Sequence, residues 1–509
     1  MESIDSKKIG LLLGPTLFLL TLQFFHPEGM SKEANAILAS TLWIAVWWIT
    51  EAIPIAVTSL LPIILFPLTG GLSLSDTTAS FGHKYVFLYI GGFILAIAIE
   101  RWNLHKRIAL NIINFIGTNI KSIILGFMVA TAFLSMWISN TATSVMMLPI
   151  GMAIVAQLRD NPNTNENENL IFGKALMLGI AYSASIGGMA TLIGTPPNLV
   201  LAGIVQEMYG IEITFSKWIV FGLPISISLL FLCWKYLTTF AFKFTQTSFP
   251  GGKAEIKRQL QKLGRISYEE KTVLVVFVAT AIAWIGRSPL QNFIQSTYSD
   301  ADIELYQNTA LAQIDDTIIA IIAGIVLFLL PASKDKKRTI LTWEEAVKLP
   351  WGILLLFGGG LALAEGFKSS GLALWIGNQM TLLEHVPLFL LLLVLVAAVN
   401  FLTEITSNLA TTAMILPVLA SMAVIIGVHP YILMVGATVA ASCAFMLPVA
   451  TPPNAVVFGS GYLTIPDMVR AGIWMNVLSI ILLTIITYFI LPYLWDFNPS
   501  SFPLEWMTK

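Results

Sequence analysis

The sequence predicts an all-α polytopic membrane protein, with about 11 transmembrane helices and two re-entrant hairpins arranged as inverted repeats. Three observations lead to this prediction: the composition, the length of the apolar segments and an internal duplication. The 509 residues are 56% hydrophobic and 11% charged, and the mean hydropathy is +0.80. Because a soluble protein of this size needs far more polar surface, we expect the chain to lie in a lipid bilayer. Long apolar segments indicate helices and not the alternating strands of a barrel.

Charge and cysteine content exclude several classes of function. The net charge is −1 and no basic domain is present, so we expect no nucleic-acid partner. The two cysteines, Cys233 and Cys443, lie in apolar segments and cannot form a disulfide scaffold or a zinc site. An intramembrane enzyme would need a nucleophile with its base, or a metal cluster, in the spans. Neither pattern is visible in the sequence, which therefore predicts a protein that is not an enzyme.

The N-terminal segment 1–34 is predicted to contain a retained transmembrane helix. Lys7 and Lys8 precede the apolar run 9–25, but the small-residue cleavage site of a signal peptide does not follow. Each further apolar stretch is long enough to be a membrane-embedded helix or half of a hairpin. These stretches lie near 35–50, 52–68, 85–100, 120–138, 141–158, 174–207, 218–241, 272–286, 317–331, 350–366, 387–403, 406–427, 431–465 and 472–492.

The distribution of lysine and arginine predicts the orientation in the membrane. The basic loops 242–271 and 332–348 should be cytoplasmic, whereas the acidic loop 287–316 should face outside. The segment 101–118 has the pattern of an amphipathic helix at the membrane interface. The N-terminus is then cytoplasmic and the tail 496–509 extracellular. Short loops and the absence of a targeting segment favour a bacterial plasma membrane.

An internal duplication is visible in the sequence. Residues 133–149 and 401–417 are identical at nine of 17 positions, at an offset of 268. The motif Thr-Pro-Pro-Asn at 195–198 recurs at 451–454. Because several matches occur in the same order, they indicate two copies of one structural unit.

The number of crossings between the copies determines their relative orientation. The segments 120–158 and 388–426 are each split at a Ser-Asn motif and are predicted to be re-entrant hairpins. Five complete crossings then separate the copies, and an odd number inverts one copy relative to the other. Inverted repeats with broken helices are the architecture of secondary transporters. The predicted units are a first repeat at 35–241 with a broken helix at 174–207, and a second repeat at 272–495 with a broken helix at 431–465.

Two short polar motifs, Ser-Asn-Thr at 139–141 and Ser-Asn-Leu at 407–409, interrupt long apolar runs. Serine and asparagine favour turns over helix interiors, and a turn at this depth needs protein or water to satisfy its backbone. A hairpin tip also presents the N-terminus of its second helix, which attracts an anion. The repeated Thr-Pro-Pro-Asn motif breaks its helix and frees carbonyl groups, which suit a hard cation such as sodium.

Charge is nearly absent from the segments that carry these motifs. Segments 122–158, 175–206 and 430–466 contain no charged residue, and 387–428 contains only Glu404. A bound anion must therefore be met by helix N-termini, polar donors and co-bound cations. This is a physical reason for cation coupling. The alternative is that the motifs only pack helices, as small polar residues often do in membranes.

Two acidic residues need separate interpretations. Glu404 is ionisable within an apolar span, so it is either functional or a hydrogen-bonded structural group. Glu51 lies in Thr-Glu-Ala-Ile-Pro, where we expect the junction of two helices, and the structural interpretation is favoured.

At these residues the chain resembles the divalent anion/sodium symporter family, the INDY-like carriers of dicarboxylates and citrate. The resemblance covers essentially the whole chain and includes both hairpin motifs and both Thr-Pro-Pro-Asn segments. It implies a homodimer whose scaffold helices form the interface. It also implies a transport domain, built from the hairpins and broken helices, that moves by an elevator mechanism.

The resemblance also implies roles for individual residues. The first sodium site would be built by Ser135, Ser139, Asn140 and Gly194. The second sodium site would be built by Thr403, Thr406, Asn408 and Ala450. The substrate-binding set would be Asn140, Thr141, Asn408, Leu409, Thr451 and Pro452. Leu409 departs from the family pattern, which usually has threonine there, and this loss of a hydroxyl leaves the choice of anion open.

The leading hypothesis is symport of sodium, as the coupling ion, with a di- or tricarboxylate such as succinate, malate, fumarate or citrate. A sodium-independent exchanger of the 2-oxoglutarate/malate type and a sulfate carrier of the same fold are the nearest alternatives. A channel is a further alternative, which would predict conduction far faster than a carrier cycle.

Overall fold

The computed structural model describes residues 6–117, 119–157, 167–244, 252–298, 303–332, 338–379 and 385–506. Within these ranges every element of more than one residue is a helix, and an isolated β-bridge joins Pro331 to Thr339. The predicted all-α class is therefore confirmed.

The helices of the first half surround the first hairpin and the first broken helix. They are α1 (Ser6–Phe24), α2 (Lys32–Thr50), α3 (Ile55–Thr58), α4 (Leu61–Thr69), α5 (Leu74–Ala79), α6 (Lys84–Arg101), α7 (Leu104–Ile116), α8 (Ile120–Ser135), α9 (Asn140–Val155), α10 (Glu168–Gly188), α11 (Pro196–Tyr209), α12 (Phe215–Tyr236) and α13 (Gly252–Leu263).

The helices of the second half surround the second hairpin and the second broken helix. They are α14 (Tyr268–Gln295), α15 (Ile303–Gln307), α16 (Ala310–Gln313), α17 (Asp316–Leu329), α18 (Trp343–Ala346), α19 (Trp351–Ser369), α20 (Leu372–Asn378), α21 (Leu388–Leu402), α22 (Asn408–Ile425), α23 (Pro430–Ala441), α24 (Pro452–Phe458), α25 (Ile465–Ile485) and α26 (Leu491–Trp495).

The described part of the chain contains eight helices that are long and apolar enough to cross a membrane. Six shorter apolar helices accompany them, among them α8, α9 and α21 of the hairpins. These lengths agree with a polytopic protein in which some apolar helices do not span the bilayer. The total of about 11 crossings remains a prediction.

Each segment predicted to be a hairpin consists of two helices that meet at a short tip. In the first, α8 and α9 are joined by residues 136–139, and both helices pack against α10. In the second, α21 and α22 are joined by residues 403–407, and both pack against α23. Residue 158, the last of the first predicted segment, lies outside the described residues. The helices end and begin at the Ser-Asn motifs, where the tips were predicted, and the re-entrant path of the hairpins in the membrane stays a prediction.

Each broken helix is interrupted directly before its Thr-Pro-Pro-Asn motif. The chain leaves α10 at Gly188 and re-enters a helix at Pro196, and it leaves α23 at Ala441 and re-enters at Pro452. Proline at the first helical position costs no hydrogen bond, because that N–H has no partner within the helix. The two prolines therefore start α11 and α24, and they prevent continuation of the helix before them.

Two long helices differ from the sequence prediction, and the short helices α15, α16 and α18 lie within segments predicted to be loops. The first is α14, which runs to Gln295, so the prediction of a loop from residue 287 is wrong for its first nine residues. Arg287 is buried within this helix, and its guanidinium lies 2.9 Å from Asp316 and 3.1 Å from Glu212. These two carboxylates neutralise the charge of Arg287. The apolar sequence pattern ends at Arg287, but the helix continues past it.

The second difference is α13, which lies within the segment 242–271 that was predicted to be a basic loop. The segment has a low mean hydropathy, so it does not stand out in the sequence as an apolar helix. Its apolar residues nevertheless recur at helical spacing, at Ile256, Leu260 and Leu263. The helix packs with this face towards α7 and α9, beside the first hairpin.

Candidate functional site

The two hairpin tips and the two broken helices enclose one cavity of about 870 Å³. All but two of the residues predicted to form the site line it. The lining members are Ser139, Asn140, Thr141, Gly194, Thr406, Asn408, Leu409, Ala450, Thr451 and Pro452. The two exceptions, Ser135 and Thr403, are fully buried behind the tips. Asn140 and Asn408, which are 268 positions apart in the chain, are thus brought to one cavity.

Oxygen atoms converge beneath the first tip. Ser135 Oγ lies 2.6 Å from Asn140 Oδ1 and 2.7 Å from the carbonyl oxygen of Ala184. A hydroxyl has one hydrogen, so it can donate to only one of these two acceptors. The carbonyls of Gly188 and Gly194 are close by, because a Cβ atom on Gly188 would lie 2.5 Å from Asn140 Oδ1 and 3.1 Å from Gly194 O. Such a cluster of uncharged oxygens suits a sodium ion.

The second tip repeats this arrangement. Thr403 Oγ1 lies 2.7 Å from Asn408 Oδ1 and 2.9 Å from the carbonyl oxygen of Ala441. Thr406 Oγ1 lies 2.6 Å from Thr411 Oγ1. The hydroxyl, the amide and the carbonyl therefore occupy the same places in both copies. These equivalent contacts confirm the internal duplication.

The asparagine of each Thr-Pro-Pro-Asn motif holds the unwound segment before it. Asn198 Nδ2 donates to Thr191 O at 2.7 Å, and Asn454 Nδ2 donates to Leu447 O at 3.0 Å. The amide oxygen of each asparagine is buried and has no hydrogen-bond donor among the described residues. A water or a cation would satisfy these two acceptors. Their role was missed from the sequence, although the exact repetition of the motif was a signal for it.

Helix N-termini meet at the cavity. The tips begin α9 and α22, and the Thr195 and Thr451 positions begin α11 and α24. The first N–H groups of a helix lack acceptors within it and carry partial positive charge. The Pro-Pro starts of α11 and α24 remove two of these donors from each helix. The free N–H groups available to an anion therefore belong mainly to α9 and α22.

Side-chain charge is confined to one part of the cavity wall. Among the described lining residues, only Lys7 and Glu51 are charged. Both also line a smaller neighbouring cavity, away from the tips. Glu51 ends α2 with a φ of +47°, which places it at the junction of α2 and α3 as predicted. The tip residues that line the cavity carry no charge, whereas Lys106 and Lys262 line a neighbouring cavity that also reaches Ser139 and Thr141.

Glu404 is a hydrogen-bond acceptor for an unwound backbone segment. Its Oε1 accepts from the N–H of Phe445 at 2.8 Å, and its Oε2 accepts from the N–H of Leu447 at 3.1 Å. Met446 N–H donates to both oxygens, at 3.0 and 3.2 Å, and Asn476 Nδ2 donates to Oε1 at 2.7 Å. The carboxylate is buried and fully hydrogen-bonded, so the structural interpretation of Glu404 has direct support.

Thr141 and Leu409 occupy equivalent positions of the two tips and differ in chemistry. Thr141 is exposed to the cavity, whereas Leu409 is buried but still reaches the cavity wall. The first tip therefore offers a hydroxyl where the second offers methyl groups. This asymmetry follows from the departure at Leu409 in the sequence.

Several apolar walls of the cavity were not predicted. Trp48, Tyr89 and Phe93 line it from one side, and Ile353 and Leu356 line it from α19. In an apolar segment, no sequence pattern distinguishes a residue that lines a cavity from one that packs against a helix or contacts lipid. Only the three-dimensional structure identifies them.

Comparison with known families agrees with this geometry. Residues 6–495 match the model of a family described as the sodium:sulfate symporter transmembrane region. The chain belongs to this family. The match covers both hairpins and both broken helices, so the whole cavity lies within the family region of the sodium:sulfate symporters. The resemblance to divalent anion/sodium symporters is confirmed.

Individual relatives are similar over nearly the full length. The chain is 49% identical over 487 residues to the sodium-dependent dicarboxylate transporter SdcS of Staphylococcus saprophyticus, covering 95% of this chain and 91% of the relative. It is 50% identical to the protein of the same name from Staphylococcus aureus, strain USA300, with the same coverage.

Solved structures of more distant proteins share the fold of this symporter family member. Neisseria gonorrhoeae MtrF, described with a class of antimetabolite efflux pumps, has a TM-score of 0.58 at 12% identity and covers 99% of this chain and 98% of its own. The Alcanivorax borkumensis YdaH transporter has a TM-score of 0.59 at 14% identity and covers 98% of this chain and 100% of its own. At this identity the likeness concerns the fold alone.

Proposed function

We propose that this protein is a secondary transporter that couples the movement of sodium to that of a dicarboxylate. The observation that carries the proposal is the cavity at the two tips, where helix N-termini meet between two clusters of uncharged oxygens. The relatives at about 50% identity are named sodium-dependent dicarboxylate transporters, which supports the same function.

Sodium binds in this proposal beneath each tip, in the two oxygen clusters around Ser135 and Thr403. Each ion adds positive charge next to a helix N-terminus, so it strengthens the field that holds the anion. Because the tip residues that line the cavity are uncharged, substrate affinity in this proposal depends on these ions. This dependence is the physical origin of symport.

The substrate's two carboxylates bind at opposite tips. One accepts from the backbone and side chains of Asn140 and Thr141, and the other accepts from Asn408 at the N-terminus of α22. Thr451 and Pro452 form the wall between them. Leu409 contacts the carbon chain of the substrate and offers no hydroxyl to a third carboxylate, so we favour C4 dicarboxylates such as succinate, malate and fumarate over citrate.

The remaining features of the proposal concern the whole molecule. The hairpins and broken helices move together as an elevator, and two copies of the chain form a homodimer. The protein lies in the plasma membrane of a bacterial cell with its N-terminus in the cytoplasm. It carries out transport without enzymatic chemistry. Cross-linking in the membrane tests the dimer, and accessibility of single introduced cysteines tests the orientation.

The first experiment is uptake of labelled succinate into liposomes that contain the purified protein. We expect uptake with an inward sodium gradient and little uptake when potassium replaces sodium. Competing malate, fumarate, citrate and sulfate then rank the substrates. Uptake that ignores sodium and needs an internal dicarboxylate would instead identify an exchanger. Strong competition by sulfate would identify the sulfate carrier named in the family description.

Leu409→Thr tests the asymmetry of the tips. The variant adds a hydroxyl to the second tip, where Thr141 already supplies one to the first. We expect citrate to compete with succinate about tenfold better than in the wild type, the effect of one added hydrogen bond to a charged group. Thr141→Val provides the converse change. An unaltered order of competitors in both variants would show that these two positions do not select the substrate.

A further inference from the structure

A second groove, of about 580 Å³, lies between α12 and α25 and is separate from the cavity at the tips. It is formed where α12 ends and α25 begins. The two helices are fixed to each other there, because Tyr236 Oη donates to the carbonyl oxygen of Ala471 at 3.1 Å. Its most informative wall residues are Lys235, Tyr236, Phe240, Asp467, Arg470 and Trp474.

The charge in this groove is positive and unbalanced. Lys235 and Arg470 are exposed, and neither has an ion-pair partner among the residues that the structure describes. The acidic residue of the groove is Asp467, but its Oδ1 lies 2.8 Å from Lys174 Nζ, so its charge is already neutralised. Lys235 Nζ also lies 6.0 Å from the ring centre of Trp234, which does not neutralise its charge. An anion with access to the groove would therefore meet two cationic groups that lack ion-pair partners, on adjacent helices.

Apolar surface continues directly from these charges. Phe240 and Trp474 line the groove and are 72% and 60% exposed. Trp474 follows Arg470 by four residues, and Phe231 precedes Lys235 by four, so each pair lies on one helix face. Phe231 is also exposed. A soluble anion would make no use of these side chains, whereas acyl chains would cover them.

The position of the groove along the helices matches a membrane interface. Lys235 lies in the last turn of α12, and Asp467 lies in the first turn of α25. Both helices belong to candidate membrane spans. Aromatic and basic side chains at the ends of spanning helices typically lie at the level of the lipid headgroups.

We propose that this groove binds an anionic phospholipid, with its phosphate between Lys235 and Arg470 and its acyl chains along Phe231 and Trp474. Arginine contacts a phosphate through two parallel N–H groups, and the nearby lysine adds a point charge. Basic pockets between helices at a membrane interface hold anionic headgroups in this way. A zwitterionic lipid brings a positive group of its own, which these two side chains repel.

The lipid would join the two copies of the repeat at the helices that support the substrate cavity. On α12, Trp218 Nε1 donates to Met189 O at 3.0 Å and so holds the first unwound segment. On α25, Asn476 Nδ2 donates to Glu404, and Glu404 holds the second unwound segment. The inference rests on the membrane location of the chain and does not depend on sodium coupling.

Lipid binding to the full-length protein in detergent tests the proposal, by native mass spectrometry with phosphatidylglycerol and with phosphatidylcholine. Wild-type protein should retain phosphatidylglycerol in preference to phosphatidylcholine. Lys235→Gln with Arg470→Gln should weaken phosphatidylglycerol binding by about ten- to thirtyfold, since each basic group near the surface contributes about 1 kcal/mol. Arg470→Lys retains the charge and should recover part of the loss.

The matched control is Lys257→Gln with Lys271→Gln, which removes two exposed charges outside the groove. This variant should bind phosphatidylglycerol as the wild type does. Equal binding by the groove variant and the control would overturn the proposal, as would equal retention of the two lipids by the wild type. Displacement of the lipid by millimolar inorganic phosphate would identify a site for soluble anions and also overturn it. None of these readouts depends on whether uptake needs sodium.

Discussion

Replacing Asn140 with alanine is expected to lower sodium-driven succinate uptake by about 100-fold, the upper range for loss of a group that orients a metal site. Asn140 belongs to both halves of the proposed mechanism. Asn140 Oδ1 lies 2.6 Å from Ser135 Oγ in the first oxygen cluster, and Asn140 is the first residue of α9, at the wall of the cavity. The substitution therefore removes a sodium ligand and a substrate contact together.

The measurement is uptake as a function of sodium concentration. Asn140→Ala should shift half-maximal activation to higher sodium, and Asn408→Ala should do the same from the equivalent position in the second copy. The control is Asn111→Ala on α7, where the amide is exposed and donates only to Arg107 O of its own helix. Wild-type sodium activation in Asn140→Ala would refute the assignment of this residue to the sodium site.

Loss of transport must be separated from loss of folding. We expect Asn140→Ala to keep a thermal unfolding midpoint within a few degrees of the wild type, because Asn140 is only half-buried, at the wall of the cavity. A large drop in the unfolding midpoint would show that the Ser135–Asn140 contact is mainly structural. Ser135→Ala then distinguishes the two roles, since it leaves the substrate contact of Asn140 in place.

Many residues that line the cavity could be predicted from the sequence because their motifs occur twice in the chain. A polar Ser-Asn pair within an apolar run is unfavourable in a membrane. It recurs 268 positions later, at the same offset as the residues around it, so chance does not explain it. The tip residues Asn140 and Asn408 were identified in this way. Their common cavity follows from the duplication, since each copy supplies one tip and one broken helix.

The sequence could not predict features that depend on compensation across the fold. Arg287 marks the end of an apolar pattern, yet α14 continues past it because Asp316, which follows 29 residues later, lies against its guanidinium. The cavity walls at Tyr89 and Leu356 are equally hidden, since apolar side chains facing a cavity, lipid or another helix have the same composition. Contacts of this kind appear only when distant segments are placed together.

Glu404 marks a place where the two copies differ in the support of the unwound segment. Its equivalent at the offset of 268 is Met136, which has no carboxylate to offer to the unwound segment of the first copy. There the support comes from other groups: Trp218 Nε1 donates to Met189 O, and Thr191 Oγ1 donates to Met136 O. The second copy replaces these contacts with one buried carboxylate that accepts three backbone N–H groups.

Glu404→Gln is therefore expected to impair the second sodium site specifically. Glutamine keeps one acceptor oxygen, but its NH₂ group faces either the N–H of Phe445 or that of Leu447. Because both groups are donors, this backbone N–H loses its hydrogen bond. We expect a loss of about 2 kcal/mol in stability, the cost of a buried unsatisfied N–H. The segment that shifts includes Ala450, which the family resemblance places in the second sodium site, so half-maximal activation should move to about tenfold higher sodium.

The measurement is a sodium activation curve combined with a thermal unfolding midpoint, for Glu404→Gln and for Met136→Leu as the matched change in the first copy. Met136→Leu should leave both quantities near the wild-type values, because its side chain holds no backbone N–H. If Glu404→Gln lowers the unfolding midpoint while sodium activation stays unchanged, the carboxylate supports the fold without shaping the ion site. A shift in sodium activation, in contrast, would mean that a residue outside the cavity determines cation affinity by fixing the backbone that binds the ion.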